Sequence, residues 1–203
     1  MRGLLIALLC LLSLPAAATQ DAWPALYDVT GVAASDVLNI RERPNSSAPI
    51  VGVLSPAARN VELIRPNDRE TWALVNTREG SGWVSLKFLK RQQEQWLGKM
   101  PPVASCAGTE PFWGIKVNGQ RMTFSGLAFD AQSYSIIQSG SAQNRRDRYN
   151  LIGSGPSGTA IAAITMQACT DGMSDRDFGL TVDLFLQGTD QWQHLTGCCS
   201  LSP

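Results

Sequence analysis

Five cysteines occur in this 203-residue chain, and four of them lie in its C-terminal half: Cys106, Cys169, Cys198 and the adjacent Cys199. The fifth, Cys10, sits in an apolar run from Leu4 to Leu14 that follows Met1-Arg2-Gly3 and leads into Ala16-Ala17-Ala18. A charged start, a short apolar core and a small-residue end predict a signal peptide over residues 1–18, cut after Ala18. The run is shorter than the roughly 20 apolar residues a membrane span needs. Leu9 stands before Cys10 where lipid attachment wants a small residue, so Cys10 is expected to leave with the leader. In the oxidising periplasmic or secreted location this implies, the other four cysteines are expected to pair as two disulfides. Those cross-links constrain the fold most tightly. They close a domain after residue 105 and leave the stretch before it to fold on its own core.

Charge narrows the partners. The chain carries 17 basic and 17 acidic residues, and losing Arg2 with the leader leaves 16 against 17. A near-neutral chain has no electrostatic pull toward nucleic acid or acidic membranes. No other apolar stretch is long enough to span a bilayer, so an integral membrane protein is not expected.

The fold class expected is all-β, a small barrel followed by a second antiparallel β-barrel or sandwich with two disulfides. Residues 24–90 hold short β-type runs at 36–41, 49–54, 60–64, 71–75 and 83–84, spaced at about 8–12 residues with turn signals between them. Ile40, Val53, Leu63, Leu74 and Val84 are the expected inward face, with Trp72 also in the core. Residues 91–105 read as a linker, its first half able to form one helical turn before Gly98 and Pro101-Pro102 stop it. Trp96 and Leu97 are expected to pack on one of the domains. Residues 106–203 form the second domain. Phe112 to Val117 and Arg121 to Phe124 flank Asn118-Gly119, the strongest short hairpin signal in the chain. Further runs to residue 196 bring the count to seven or eight strands. The polar stretch 139–147 reads as the longest loop.

The order Val37-Leu38-Asn39-Ile40-Arg41, Pro44, Val51 to Leu54, Trp72 to Val75, Gly82-Trp83-Val84 and Phe88-Leu89 resembles the bacterial SH3 domain over residues 28–90. Ala57-Ala58 stands where that family often has a turn glycine. The second half, with Gly108-Thr109-Glu110-Pro111-Phe112-Trp113, Cys169 to Arg176 and Gly197-Cys198, resembles a family of uncharacterised bacterial envelope proteins and lipoproteins. Here Phe178-Gly179 replaces that family's aromatic-proline step. The two resemblances imply an envelope protein with an SH3-like barrel, and they supply no catalytic residues.

Four cysteines allow three pairings. Joining Cys198 to Cys199 would demand a strained ring, and on a strand the two point to opposite faces. Because Cys169 and Cys198 lie in the paired motifs of that second family, the expected bonds are Cys169–Cys198 and Cys106–Cys199.

Catalytic and metal chemistry finds little support. His194 is the only histidine, and it lacks the nucleophile context of a triad. Asp171, Asp175 and Asp177 miss the calcium-loop spacing, since Gly172 falls too early and no Glu follows. They read as an ordered turn, with Asp171 capping amides and Arg176 paired to a carboxylate. Glu110 beside two aromatics resembles a general acid, yet glycoside hydrolysis needs a second carboxylate, Asp171 or Asp175. Otherwise Glu110 is expected to accept hydrogen bonds from the Met173-Ser174 turn. Candidate binding residues are Trp83, Arg41, Glu110, Trp113, Asp171, Asp175 and Arg176. No cofactor and no metal are expected. The expected function is a non-enzymatic binding or adaptor protein of the cell envelope, its first half recognising cell-wall peptide or a protein partner. An inhibitor of lysozyme-type enzymes and a cell-wall hydrolase are the alternatives.

Overall fold

The computed structural model describes residues 20–188 and 191–202, so the expected signal peptide lies outside the described residues. The chain is all-β, with a single 3-10 turn at Leu86–Phe88 as the only helical element among them. No described helix is long and apolar enough to cross a membrane.

The first half contains β1 (Ala25–Val29), β2 (Leu38–Arg41), β3 (Ile50–Leu54), β4 (Val61–Leu63), β5 (Arg65–Pro66), β6 (Trp72–Asn76), β7 (Ser81–Ser85) and β8 (Leu89–Arg91). They form a three-stranded sheet, β4-β1-β8, and a five-stranded sheet, β3-β2-β7-β6-β5. The chain passes from one sheet to the other at Ile64, between β4 and β5. Alternation sorts the faces: on β7, Gly82 and Val84 are buried while Ser81, Trp83 and Ser85 are half-buried. Ala25, Tyr27, Leu38, Ile40, Leu63, Ala73, Val75 and Val84 fill the space between the sheets.

Three of the five expected inward residues, Ile40, Leu63 and Val84, lie in that core. Leu74 is buried outside it, and Val53 is 55% exposed. β3 is an edge strand whose register slips between Ile40 and Arg41, where Gly52 and Ile50 are the partners and Val51 is the extra residue. Such a bulge breaks the two-residue alternation that core assignment relies on.

The second half contains β9 (Ser105–Thr109), β10 (Phe112–Asn118), β11 (Arg121–Gly126), β12 (Phe129–Ser141), β13 (Arg148–Gly155), β14 (Gly158–Cys169), β15 (Phe178–Gln187) and β16 (Trp192–Ser200). Each pairs antiparallel with the next, and β16 returns to β9, closing an eight-stranded barrel. An eight-stranded barrel is just wide enough for side chains to fill. Leu180, Val182, Leu184 and Leu186 point inward from β15, and Ala160, Ala162 and Ile164 from β14. The small alanines share that interior with Trp113, Phe124 and Tyr134. The expected 139–147 loop is shorter than its composition indicated. β12 continues to Ser141, pairing Gly140 with Asn150 and Ser141 with Tyr149.

Both expected disulfides are present, Cys106–Cys199 and Cys169–Cys198. Cys106 and Cys199 are register partners across β9 and β16, and both lie in the barrel core. Cys198 faces the other way and meets Cys169 at the end of β14. Two disulfides fit an oxidising, extracytoplasmic compartment.

Residues 92–104 hold no helical turn; they run as bends and extended chain in contact with both halves. Gln95 accepts from and donates to the Leu26 backbone. The Leu97 carbonyl accepts two hydrogen bonds from the Arg146 guanidinium. Trp96 carries Lys99 over its ring at 4.6 Å.

Candidate functional site

A largely apolar concavity lies on the first half. A groove of about 520 Å³ is lined by Val37, Leu38, Arg41, Trp72 and Phe88 among others, with Asp36 also on its wall. β6 begins at Trp72, and its placement is local. The Asn67 side-chain carbonyl accepts the amide hydrogens of Thr71 at 2.9 Å and Trp72 at 3.1 Å, closing the turn that launches the strand. Ala73 and Val75 face the core, so alternation sends Trp72 outward. The expected core role of Trp72 is therefore replaced by a position lining the groove. Its own strand carried the signal, in the small and branched residues that flank it at the inward positions.

Arg41 lines the same groove, held by a 2.7 Å hydrogen bond from Nη1 to the Ala48 carbonyl. Trp83 is the register partner of Arg41 on β7, but it lies outside the groove lining. The Arg65 guanidinium sits 5.2 Å from its ring centroid, a cation–π contact that covers part of the indole. Groove chemistry is thus mixed: an aromatic and aliphatic lining with a carboxylate and a guanidinium set into it.

A second, more polar concavity of about 410 Å³ lies on the barrel, lined by Thr109, Glu110, Asp171, Asp183 and Thr196 among others. It brings two of the sequence motifs together at Glu110 and Asp171. Asp171 takes the amide-capping role expected of it, and Glu110 does not take the one expected of it. Glu110 is exposed, and Asp171, not Glu110, takes the turn. Asp171 Oδ1 accepts from the amides of Met173 at 3.0 Å and Ser174 at 2.9 Å, and Oδ2 from the Ser174 hydroxyl at 2.8 Å. Burial raises the Asp171 carboxyl, but these hydrogen bonds and the Arg176 charge outweigh it and leave the group below the ordinary carboxylate range. Thr109 Oγ1 donates to the Asp171 carbonyl, tying the β9 end to the same turn. Asp183 pairs with exposed His194 at 2.8 Å, and the His194 ring stacks on Phe185, as befits a surface strand histidine.

Trp113 is in neither concavity. It is 4% exposed, inside the barrel and against Phe124. Gly108 and Gly197 make room for it: a Cβ on Gly108 would overlap the indole, and one on Gly197 would overlap the Ala107 carbonyl. Gly108 is thus explained by the tryptophan, and Gly197 chiefly by the close approach of the β9 backbone.

Asp175 and Arg176 face the first half. Asp175 forms an isolated bridge with Gly80. Next to them the Asp177 amide donates to Asn76 Oδ1 and Ser81 Oγ, while Asn76 Nδ2 donates back to the Asp177 carbonyl at 2.8 Å. Arg176 lies 5.4 Å from the Phe178 ring centroid, with its Nε sealed from solvent and without a partner. The motif that reads as an ordered turn also serves as a docking segment. Sequence reasoning missed Glu62, a half-buried acid on the other side of this junction with one carboxyl oxygen sealed from solvent, because an isolated Glu in a short strand carries no pattern. Among the described residues no group of three or more His, Cys, Asp or Glu side chains is placed to hold a metal ion.

No family model, no curated protein and no solved structure matches this chain.

Proposed function

We propose that this chain is an exported, non-enzymatic binding or adaptor protein of the bacterial cell envelope, whose first, SH3-like half takes a cell-wall peptide or an extended segment of a protein partner. The observation that carries the reading is the groove lined by Trp72, Phe88, Val37 and Arg41. Aromatic-lined grooves suit extended chains, whose side chains they bury while leaving the backbone free to hydrogen-bond. The charges of Asp36 and Arg41 would fix direction on a ligand with both an amine and a carboxylate. The leader read from residues 1–18 and the two disulfides support the address.

The test is co-sedimentation of the mature protein with purified sacculi, and capture of detergent-solubilised envelope proteins on the immobilised chain. Retention that falls at least tenfold in Trp72→Ala and Arg41→Ala, both folded, supports the reading. Retention unaffected by either substitution, or no retention at all, removes it.

A wall-hydrolase reading draws on the concavity that joins Glu110 to Asp171. It ranks last, after the lysozyme-inhibitor reading, because three donors already engage the Asp171 carboxylate. Release of soluble muropeptides by the wild type, abolished in Glu110→Gln, would reverse the order. A lysozyme inhibition assay on the same preparation tests the inhibitor alternative.

A further inference from the structure

We propose that Glu62 is a proton-sensitive latch between the two halves: its neutral carboxyl holds the C-terminal turn against the first half, and ionisation loosens the docking. Glu62 lies on β4, directly across from Leu26 on β1. Leu26 belongs to the core of the second half although its strand belongs to the first, as does Leu201 beyond β16. The carboxyl thus sits where an apolar contact joins the two halves. Its Oε2 accepts from the amide of Leu201 at 3.0 Å, the amide of Ser202 at 3.4 Å and the Ser202 hydroxyl at 3.5 Å. Its Oε1 is sealed from solvent and has no partner, like Arg176 Nε from the 170–177 loop. Two unpartnered buried polar atoms at one junction are unusual in a folded protein, and each gains water if the halves separate.

The groups around Glu62 set the sign. From β1 it faces Leu26, which carries no charge, and from the C-terminal turn a hydroxyl and two amides. The charge that bears on it is Arg176, whose field is shared with Asp171. Burial is the largest influence and disfavours the carboxylate; the hydrogen bonds and Arg176 oppose it without cancelling it, and the group is pushed up to about 7 from 4.5. An undocked Glu62 is hydrated and titrates near the ordinary value. The docked state therefore holds its proton to higher pH. Docking is strongest below about pH 4.5 and weakens as pH rises to about 7, where the docked group itself ionises.

The experiment is amide hydrogen exchange on the full mature chain, following Leu201 and Ser202 from pH 5 to pH 8 with intrinsic rates divided out. The wild type should lose protection at these two amides on the order of 10²-fold over that range, following the displaced titration. Glu62→Gln keeps an acceptor for both amides and cannot ionise, so its protection should change less than threefold. Arg176→Gln removes the opposing charge and should enlarge the loss. A carboxyl-carbon NMR titration of Glu62 gives an independent check that needs no variant, with a midpoint near 7 expected. A wild-type change under threefold, a Glu62→Gln profile that follows the wild type, or a midpoint below 5 overturns the proposal.

Discussion

At the scale of single residues, this chain repeatedly places a side chain where only its neighbours' smallness or donors allow it. Trp113 is the strongest case, since Gly108 and Gly197 leave the space its indole and the adjacent strand occupy. Gly108→Ala should lower barrel stability by about 1–3 kcal/mol, the range for forcing volume into a packed interior, read as an earlier urea midpoint with an unchanged slope. Asp171 is the second case. Asp171→Ala strips the Met173 and Ser174 amides and the Ser174 hydroxyl of their acceptor and should cost about 1–2 kcal/mol. Because the native carboxyl lies below its ordinary value, the contribution is present above the unfolded titration and fades as pH falls through the native one. Acid melts should therefore show the wild type and Asp171→Ala converging. Both residues stood out in the sequence for their motifs, but the sequence could not say which partner each had. Trp113 could pack or bind, and either Glu110 or Asp171 could close the turn. That choice is fixed by which side of the barrel wall each residue meets.

Elements were more legible than sites, and the failures have physical causes. The Asn118-Gly119 hairpin, an antiparallel run of seven or eight strands and both disulfides follow from turn chemistry, alternation and the two half-motifs, whereas closure into a barrel instead of a sandwich comes from the pairing of β16 with β9. β12 was misread because its far end, Gln138 to Ser141, carries no apolar side chain and pairs with β13 all the same. A barrel strand needs an apolar side chain only where it faces the filled interior. β3 erred in the opposite direction: Ile50, Val51 and Val53 are apolar but exposed, on a bulged edge that has no partner on its outer side among the described residues. The two disulfides differ in kind as well as in span. Cys106–Cys199 closes a separation of 93 residues inside the core, and Cys169–Cys198 one of 29 residues on the other face. Chain entropy assigns them about 4.7 and 3.6 kcal/mol. Replacing both core cysteines by alanine also opens a cavity, so that variant should melt lower than the one lacking Cys169 and Cys198, as calorimetry can establish.

At the scale of the whole molecule, the segment read as a linker joins the halves by contact as well as by covalent chain. Arg146 holds the Leu97 carbonyl, Gln95 brackets the Leu26 backbone, and the Asn76–Asp177 exchange spans the junction. Pro24 closes on Gly179, where a Cβ would overlap its ring. The chain should accordingly unfold in one calorimetric transition at pH 5, and Asn76→Ala should resolve it into two. This coupling was the least legible property in the sequence, since it rests on single polar residues about a hundred positions apart. The placement of the cysteines bears on how the molecule is made. Both bonds end on β16, at neighbouring positions, so neither can form until Cys198 and Cys199 have left the ribosome and reached an oxidant. Until then Cys106 and Cys169 are the only cysteines of the described residues to have emerged, and an oxidant acting in order of emergence would join them to each other. If that bond forms first, the native pairing requires that thiol–disulfide exchange undo it, and partial oxidation of the reduced chain should then trap a Cys106–Cys169 species by peptide mapping.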